Sequence, residues 1–362
     1  MKLSFFGDIS LHKINHEEFT FCNSFYDLVK TSNLVIGNLE CPITEISIKE
    51  ENQAICMSAS VSSLDLLNSF HVVSLANNHI RDFQVRGLQD TVEAIDSTGI
   101  YHFGVGKTQK QAIEPLLIEK DGFKIAFFGA TRYANATEEN GGGTANDSFS
   151  LMKNHIRKLK KEGYFVIPYF HWGYEFVRIP SPKERKLAHK CIEAGADIII
   201  GSHPHIYQGI EEYKGKKIVY SLGNFIFHSS VFDGFAPIDN DSRLNESFAF
   251  SIEINQDFSY QTEIHGYNTN DRGVVFYNEQ ENNKLKLEID DISAILKAPK
   301  FKYLKAYYYQ THQISKLNVK VRKKYLNIKK QSLSNKIKIY RTATTQDLKN
   351  RLAGLIISLF KK

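Results

Sequence analysis

Residues 196–205 have the sequence ADIIIGSHPH, in which an apolar run ends at Gly201 and two histidines follow, His203 and His205. A short apolar run of this kind predicts a buried strand, and residues just past its end face a crevice rather than the core. Pro204 restricts the backbone between the two histidines and holds both imidazoles at low entropic cost, which suits a site for one or two metal ions. Taken alone, the pair is equally compatible with two solvated loop histidines.

Six further apolar runs are followed in the same way by polar side chains. Each run predicts a strand, and we interpret the polar residue behind it as a potential ligand. The candidates are Asp8, Asn38, Glu40, Asn77, Asn78, His79, Arg132, His171, Glu175 and Asn224. Helix patterns lie between the runs, at 150–162 and at 182–194, where Ser181 and Glu184 fit a capping box. This alternation is typical of α/β proteins, in which ligands bind outside the carboxyl ends of strands.

The length of 362 residues and the 42% hydrophobic content predict a globular protein with one large core or two domains. Beyond Phe227 the pattern changes to alternating strands, which we expect to pair antiparallel and to close a second sheet. The four cysteines include no CxxC pair, so we expect reduced thiols in a cytoplasmic protein. The N-terminus lacks the apolar middle of a signal peptide, and no run approaches the ~20 apolar residues of a membrane span.

The charge is divided unevenly along the chain. Residues 299–362 hold 17 Lys and Arg against one acid, Asp347, a net of +16, which leaves a net of −10 in residues 1–298. We therefore expect a domain at 1–298 and a basic, helical C-terminal extension at 299–362 that face different partners. Residues 345–362 fit an amphipathic basic helix, equally compatible with an anionic membrane surface and with a helix docked on the core. Nucleic acid is a weaker interpretation because no reading module accompanies the charge, and the oligomeric state stays open.

Seven of the candidate residues are of types that bind divalent cations: Asp8, Asn38, Glu40, Asn78, His171, His203 and His205. Mixed carboxylate, amide and imidazole ligands suit a pair of Mn, Zn, Fe or Mg ions. Such a site polarises a phosphoryl oxygen and activates a water at neutral pH, and the neighbouring His79 could protonate the leaving oxygen. Each residue also has an ordinary structural explanation, since an asparagine can cap a loop and His171 can pack beside Trp172.

The motifs together resemble a known family, the CapA-type proteins of poly-γ-glutamate and capsule biosynthesis, a branch of the calcineurin-like metallophosphoesterases. The resemblance covers roughly residues 1–280 and rests on GD at 7–8, NLE at 38–40, ANNH at 76–79 with Asp82, HWG at 171–173 with Glu175, GSHPH at 201–205 and SLGNF at 221–225. It implies a four-layer α-β-β-α sandwich, of the α/β (α+β) class, with a dinuclear metal centre between the sheet edges.

The resemblance also implies roles for single residues. Asp8 and His205 would bind one metal, and Asn78, His171 and His203 the other. Either Asn38 or Glu40 would lie between the ions, and we favour Glu40 because a carboxylate bridges two dications better than an amide. Ser10 stands where the wider superfamily has a histidine, which removes a ligand from the first metal. Gln84 likewise stands where the branch usually has glycine.

We therefore expect a metal-dependent phosphoesterase that acts on a phosphate-containing or polymer substrate in surface-polymer assembly. It would be cytoplasmic and peripheral at the inner face of the cell membrane, with His79, Asn78 and Asp8 in catalysis. Substrate contacts would come from Arg132, Glu175 and Asn224, since a guanidinium binds phosphate bidentately; for Arg81 we favour a surface ion pair. A non-catalytic partner of a polymer-synthesis complex and a metal-dependent amide hydrolase are the alternatives. His79 favours an enzyme because a structural metal site has no use for a proton donor.

Overall fold

The computed structural model describes residues 1–50, 55–232 and 242–328. Its first nine strands are β1 (Lys2–Ile9), β2 (Thr20–Phe21), β3 (Leu34–Leu39), β4 (Val72–Ser74), β5 (Tyr101–Phe103), β6 (Val105–Gly106), β7 (Leu116–Lys120), β8 (Phe123–Thr131) and β9 (Gly143–Thr144). The later strands are β10 (Phe165–His171), β11 (Ile198–Ser202), β12 (Ile210–Tyr213), β13 (Lys216–Val219), β14 (Asn224–Ile226), β15 (Glu246–Ile254), β16 (Tyr260–Asn270) and β17 (Gly273–Phe276). The helices are α1 (Asn23–Thr31), α2 (Gln84–Thr98), α3 (Gln109–Ala112), α4 (Phe149–Lys161), α5 (Pro182–Ala194), α6 (Glu279–Lys297) and α7 (Lys300–Ile328).

Two large sheets form the centre of the protein. The first has the order β2-β17-β16-β15-β1-β3-β4-β5, and β14 pairs with β1 as a branch. The second has the order β12-β13-β11-β10-β8-β7. In both sheets the strands that lead toward the candidate residues run parallel, so their carboxyl ends lie at one edge.

Three apolar layers show how the sheets and helices stack. Phe5 and Ile36 of the first sheet pack with Phe127 and Ile167 of the second, which places one core between the sheets. A second core lies on the outer face of the first sheet under the apolar sides of α1 and α2, and a third lies on the outer face of the second sheet under α4 and α5. The order is therefore helix, sheet, sheet, helix, and the expected four-layer α/β sandwich is confirmed.

The two helices predicted from the sequence form where expected, and α5 has the predicted capping box. The Ser181 side chain accepts a hydrogen bond from the Glu184 backbone N–H, and Gly195 ends the helix in a left-handed conformation. The expectation that the strands after Phe227 close a second sheet is wrong. β15 pairs antiparallel with β1, and β16 and β17 follow, so these strands extend the first sheet instead.

The start of the basic extension packs on the domain. Tyr303 and Tyr307 of α7 are buried in the core that also contains α4 and α5. The Tyr303 hydroxyl donates to the Pro180 carbonyl at 2.8 Å, and the Arg178 backbone N–H donates to Gln310 Oε1 at 3.0 Å. The boundary at residue 298 stays a prediction.

Across residues 1–50, 55–232 and 242–328, no helix combines the length and the apolar character that a membrane crossing needs. The helix expected at 345–362 lies outside the described residues. All four cysteines are free, as expected.

Candidate metal centre

Strand ends from both sheets meet at the candidate site. Asp8 of β1 lies in register with Asn38 of β3 on one side and with Asn224 of β14 on the other. In the second sheet His171 is the last residue of β10 and pairs with Ser202, the last residue of β11. Because these side chains all lie at strand ends, polar groups from five strands meet at one edge of the sandwich.

Asp8 is fully buried and held on both oxygens. Its Oδ1 accepts from the Asn38 side-chain amide at 2.8 Å, and its Oδ2 accepts from the His203 backbone N–H at 3.0 Å. Burial, followed by the charge of Glu40, raises the pKa of Asp8 to about 7. A carboxylate in this position needs a nearby cation to stay ionised, since two buried acids repel one another.

Glu40 is the side chain that most clearly lacks a partner. It is fully buried, and neither carboxylate oxygen has a hydrogen-bond partner among the described residues. A hydrogen bond to the neighbouring Asp8 would require one of the two acids to be protonated. Burial raises the pKa of Glu40 to about 8. A buried carboxylate without donors is expensive, so its presence indicates a cation site.

Two groups of potential ligands share Glu40. One consists of Glu40, His203 and His205, and the other of Asp8, Glu40 and His171; within each group the ligand atoms lie within 4.8 Å of one another. Glu40 Oε1 is 3.4 Å from His171 Nε2 and 3.8 Å from His205 Nε2. His205 Nδ1 also lies 3.8 Å from Asp8 Oδ2, so the assignment of each histidine to one of two metals stays a prediction.

The three histidines are set up as neutral ligands. Burial lowers the pKa of His171 and of His205 to about 3, and burial followed by the neighbouring His171 lowers that of His203 far below its ordinary value. Their rings therefore carry a free nitrogen lone pair at neutral pH, which is the form that binds metals. His203 Nδ1 lies 3.0 Å from His171 Nε2, so these two ring nitrogens point toward the same space.

The backbone of the GSHPH segment is strained at both histidines. His203 has a φ of 98° and His205 a φ of 58°, in the left-handed region that non-glycine residues rarely adopt. Each such residue costs on the order of 1–3 kcal/mol and persists only where its surroundings fix it. Here the bond from the His203 N–H to Asp8 and the bond from the Phe176 N–H to the Pro204 carbonyl fix the turn. The backbone is therefore left-handed at both histidines.

Asn78 and Asn38 lie inside the cluster but have different contacts. Asn78 Oδ1 lies 2.6 Å from His171 Nε2, which brings Asn78 and His171 together as the resemblance implied. The Asn38 amide nitrogen donates to Asp8, and its oxygen faces the Asn77 amide at 3.5 Å. In this arrangement Asn38 orients Asp8, while Glu40 Oε1, which has no hydrogen-bond partner among the described residues, faces His171 and His205.

His79 forms a pair with Asp82 at the edge of the cluster. Its Nδ1 lies 2.7 Å from Asp82 Oδ2, which also accepts the Met57 backbone N–H at 2.8 Å. Burial alone would lower the pKa of His79, but the hydrogen bond and charge of Asp82, with Glu40 and Glu175, raise it above its ordinary value. His79 is thus the histidine of the site that holds a proton most readily.

The three residues expected to bind substrate lie in different surroundings. Asn224 Oδ1 is 3.0 Å from His205 Nδ1, so Asn224 orients a histidine. Arg132 forms ion pairs with Asp147 at 3.2 Å and with Glu184 at 3.5 Å. Glu175 is exposed, and its charge acts on both Glu40 and His79.

Four further residues named in the sequence analysis have contacts at or near the site, and the roles of two of them, Asp82 and Asn77, were not predicted. Asp82 and Asn77 hold His79, the second through a bond from the His79 backbone N–H at 3.1 Å. The contact between His79 and Asp82 could have been predicted from the sequence, because Asp82 follows His79 by three residues. Ser10 donates to Met57 Sδ at 3.3 Å and does not replace the missing histidine ligand. Arg81 pairs with Glu50 at 3.4 Å, the contact favoured for it from the sequence.

The donor set as a whole fits divalent cations. Two buried carboxylates with raised pKa values, three neutral imidazoles and an amide oxygen converge, and Glu40 has no other partner within the described ranges. This combination of oxygen and imidazole ligands is typical of Mn, Zn and Fe sites.

Comparison with known proteins places the chain in a family. The family described as bacterial capsule synthesis protein PGA_cap matches residues 2–229. The PGA biosynthesis protein CapA of Bacillus subtilis is 32% identical over 63% of this chain and 63% of its own length. The capsule biosynthesis protein CapA of Bacillus anthracis is 35% identical over 55% of this chain and 51% of its own length.

The chain thus spans between half and two thirds of the length of these relatives. Among solved structures, a 5'-nucleotidase from Candida albicans superposes on 89% of this chain and 57% of its own, with 10% identity and a TM-score of 0.44. That similarity is low, so the fold is assigned from the layers of this chain. The match over residues 2–229 shows that the chain belongs to the PGA_cap family of bacterial capsule synthesis proteins.

Proposed function

We propose that this chain is a metal-dependent hydrolase, a phosphoesterase that acts on a phosphate-containing or polymer substrate in capsule or other surface-polymer biosynthesis. The observation that carries the proposal is Glu40, a buried carboxylate without a hydrogen-bond partner among the described residues, between two groups of neutral imidazole and carboxylate ligands. The relatives named for capsule and PGA biosynthesis support the biological setting.

The ligands proposed for two divalent ions, Mn, Zn, Fe or Mg, are Asp8, Glu40, Asn78, His171, His203 and His205. When bound, such ions polarise a phosphoryl or carbonyl group and lower the pKa of a water molecule. Glu40 is the proposed shared ligand because it belongs to both groups of donors. Asn38 and Asn224 hold Asp8 and His205 in place, at 2.8 Å and 3.0 Å.

His79 is the proposed proton donor to the leaving group. Its Nδ1 is engaged by Asp82, which leaves Nε2 as the other ring nitrogen. Asp82 raises the pKa of His79, so the ring keeps its proton at a higher pH than a free histidine. Glu175 adds to this effect from the exposed side of the site.

Arg132 is a proposed contact for the anionic part of a substrate. Its guanidinium is about two-thirds buried, and two carboxylates hold it, Asp147 and Glu184. A phosphate would have to compete with Asp147, the more exposed of these two acids, for the guanidinium. Substrate binding at Arg132 therefore involves an exchange of ion pairs.

One observation favours a second function, that of a non-catalytic partner in a polymer-synthesis complex. Ser10 stands where the resemblance implies a histidine ligand in the wider superfamily, and its hydroxyl donates to Met57 Sδ at 3.3 Å. A site with one ligand fewer could hold a single structural ion. Such a protein would need the cluster but not the His79–Asp82 pair.

Elemental analysis combined with hydrolysis assays tests the proposal. We expect close to two metal ions per chain, metal-dependent hydrolysis of an aryl phosphodiester or monoester, and loss of metal in a Glu40→Gln variant. Glu212→Gln, which changes an exposed acid paired with Lys217, is the matched control and should keep both properties. A γ-glutamyl anilide in the same assay separates amide from phosphoester hydrolysis. One ion or none, with no turnover of any substrate, would contradict the hydrolase and favour the assembly partner.

A further inference from the structure

One face of α7 combines lysines with exposed aromatic side chains. At 100° per residue, Phe301, Lys302, Lys305, Tyr309 and Lys316 fall within an arc of about 100°. Phe301 is 54% and Tyr309 is 55% exposed, and the three lysines are exposed as well. We call these five residues the basic aromatic face of α7.

The opposite face of the same helix is fixed to the domain. Tyr303, Tyr307 and Thr311 are buried, and the Tyr303 hydroxyl bonds to Pro180. The basic aromatic face is therefore held in one orientation relative to the domain and does not need a partner to become helical. A flexible basic segment loses conformational entropy when it binds, whereas α7 is already ordered in the folded protein and does not have this cost.

All the charged residues in the sequence of α7 are basic. Residues 299–316 contain no acid, and the whole segment 299–362 has a net charge of +16 against −10 for residues 1–298. A surface of this kind is attracted to an anionic partner and turns the acidic remainder of the molecule away from it.

We propose that the basic aromatic face of α7 docks this protein on an anionic lipid membrane. Lysines approach anionic headgroups, and amphipathic aromatic rings insert at the level of the headgroups, which is the arrangement of interfacial helices. A soluble acidic polymer would account for the lysines but not for two aromatic side chains more than half exposed among them. Single-stranded nucleic acid, whose bases stack on aromatic rings, is the competing partner that the binding test below distinguishes. The proposal does not depend on hydrolysis, because membrane binding is measured without turnover.

The helix α7 is hydrogen-bonded to residues 176–178, a segment that follows the ligand candidate His171. The Arg178 backbone N–H bonds to Gln310 of α7, and Phe176 of the same segment bonds to the backbone of Pro204, between two of the histidines. A membrane at the basic aromatic face therefore fixes the orientation of this segment relative to the lipid surface. That arrangement suits a substrate or partner held in the membrane.

Vesicle co-sedimentation of the full chain tests the docking. We expect binding to vesicles that contain phosphatidylglycerol, little binding to pure phosphatidylcholine, and a decrease with salt. Lys302→Glu with Lys305→Glu should weaken binding on the order of 30-fold or more, since each lysine near an anionic surface contributes roughly fivefold. Phe301→Ser with Tyr309→Ser should weaken binding at high salt in particular. The control is Lys284→Glu with Leu287→Ser, an equally exposed pair on α6.

Three results would overturn the docking. If the Lys302/Lys305 variant binds vesicles as the wild type does, the contact belongs to another part of the chain. A variant with Lys349, Lys361 and Lys362 changed to Glu would then test whether residues after α7 make it. An equal loss in the α6 control would show a general charge effect. Binding to soluble polyglutamate or DNA without binding to vesicles would assign the face to a polyanion. Far-ultraviolet circular dichroism of each variant excludes unfolding as the cause.

Discussion

Replacing Glu40 with Gln should make the metal-free protein less sensitive to pH while it weakens metal binding. The glutamine keeps the shape of the side chain and removes its charge. Because Glu40 is buried without a hydrogen-bond partner among the described residues, its negative charge destabilises the folded state whenever no cation is bound. The same charge becomes favourable when a cation is present.

The magnitude follows from the pKa of Glu40. Burial raises it from an ordinary value of 4.5 to about 8 in the folded, metal-free protein. The folded state therefore binds this proton more tightly than the unfolded chain, and its stabilising effect is complete below pH 4.5 and lost as the pH rises toward 8. Between pH 5 and pH 7 the free energy of unfolding should fall by about 2.5 kcal/mol through Glu40. Asp8 acts in the same direction, and part of its own shift comes from Glu40.

Urea unfolding of chelator-treated protein at pH 5 and pH 7 measures this difference. The wild type should lose at least 2–3 kcal/mol more than Glu40→Gln over the interval, by the estimate of about 1.4 kcal/mol per pKa unit. Addition of Mn²⁺ should narrow the difference in stability between the two proteins at pH 7, because it stabilises the wild type by about 2.7 kcal/mol at a hundred times its Kd and the variant by less. Parallel pH profiles of the two metal-free proteins would refute the assignment of Glu40 as an unpartnered buried charge.

Glu211→Gln is a matched comparison of opposite sign. Burial disfavours its charge, but the His189 ring at 3.1 Å and hydrogen bonds from Arg185 and Tyr220 lower its pKa to about 2. Its contribution is present above pH 4.5 and lost as the pH falls toward 2. The variant should therefore be destabilised at pH 7, in contrast to the variant at Glu40.

His79→Ala should abolish turnover while metal content, measured by elemental analysis, stays near that of the wild type; loss of metal would make His79 a ligand. Asp82→Asn should lower the pKa of His79, so the decrease of kcat on the alkaline side should begin at lower pH, and an unshifted profile would exclude His79 as the titrating acid. Gly7→Ala should destabilise the protein by about 3 kcal/mol in thermal unfolding, because a methyl group there overlaps the Gly223 carbonyl of the chain crossing to β14; a change below about 1 kcal/mol would show that β14 can move away.

Much of the site could be predicted because each ligand follows a buried strand. Apolar runs that end in small residues gave Asp8, Glu40, His171, His203 and His205, and parallel strands necessarily bring their carboxyl ends together. The structure places all five within one buried cluster. The position of helix α5 could also be predicted, because its capping box and its final glycine are local sequence signals.

Other features could not be obtained from local patterns. The pairing of β15 with β1 joins residues about 250 positions apart, so the alternating pattern after Phe227 identified strands but not their sheet. The contact of Asn224 with His205 depends on β14 crossing to the first sheet. The strain at His203 is likewise imposed by a tertiary bond, from its N–H to Asp8.

The position of β1 in its sheet has a consequence for synthesis of the chain. Lys2 pairs with Glu253, so one edge of β1 has no partner strand until the about 250 residues between them have been translated. At roughly 5–20 residues per second the nascent chain carries an unpaired apolar strand edge for on the order of 10–50 s. Nascent chains that end before β15 should therefore depend on chaperones and aggregate when released from the ribosome. The second sheet, whose strands all lie between β7 and β13, can form earlier on its own.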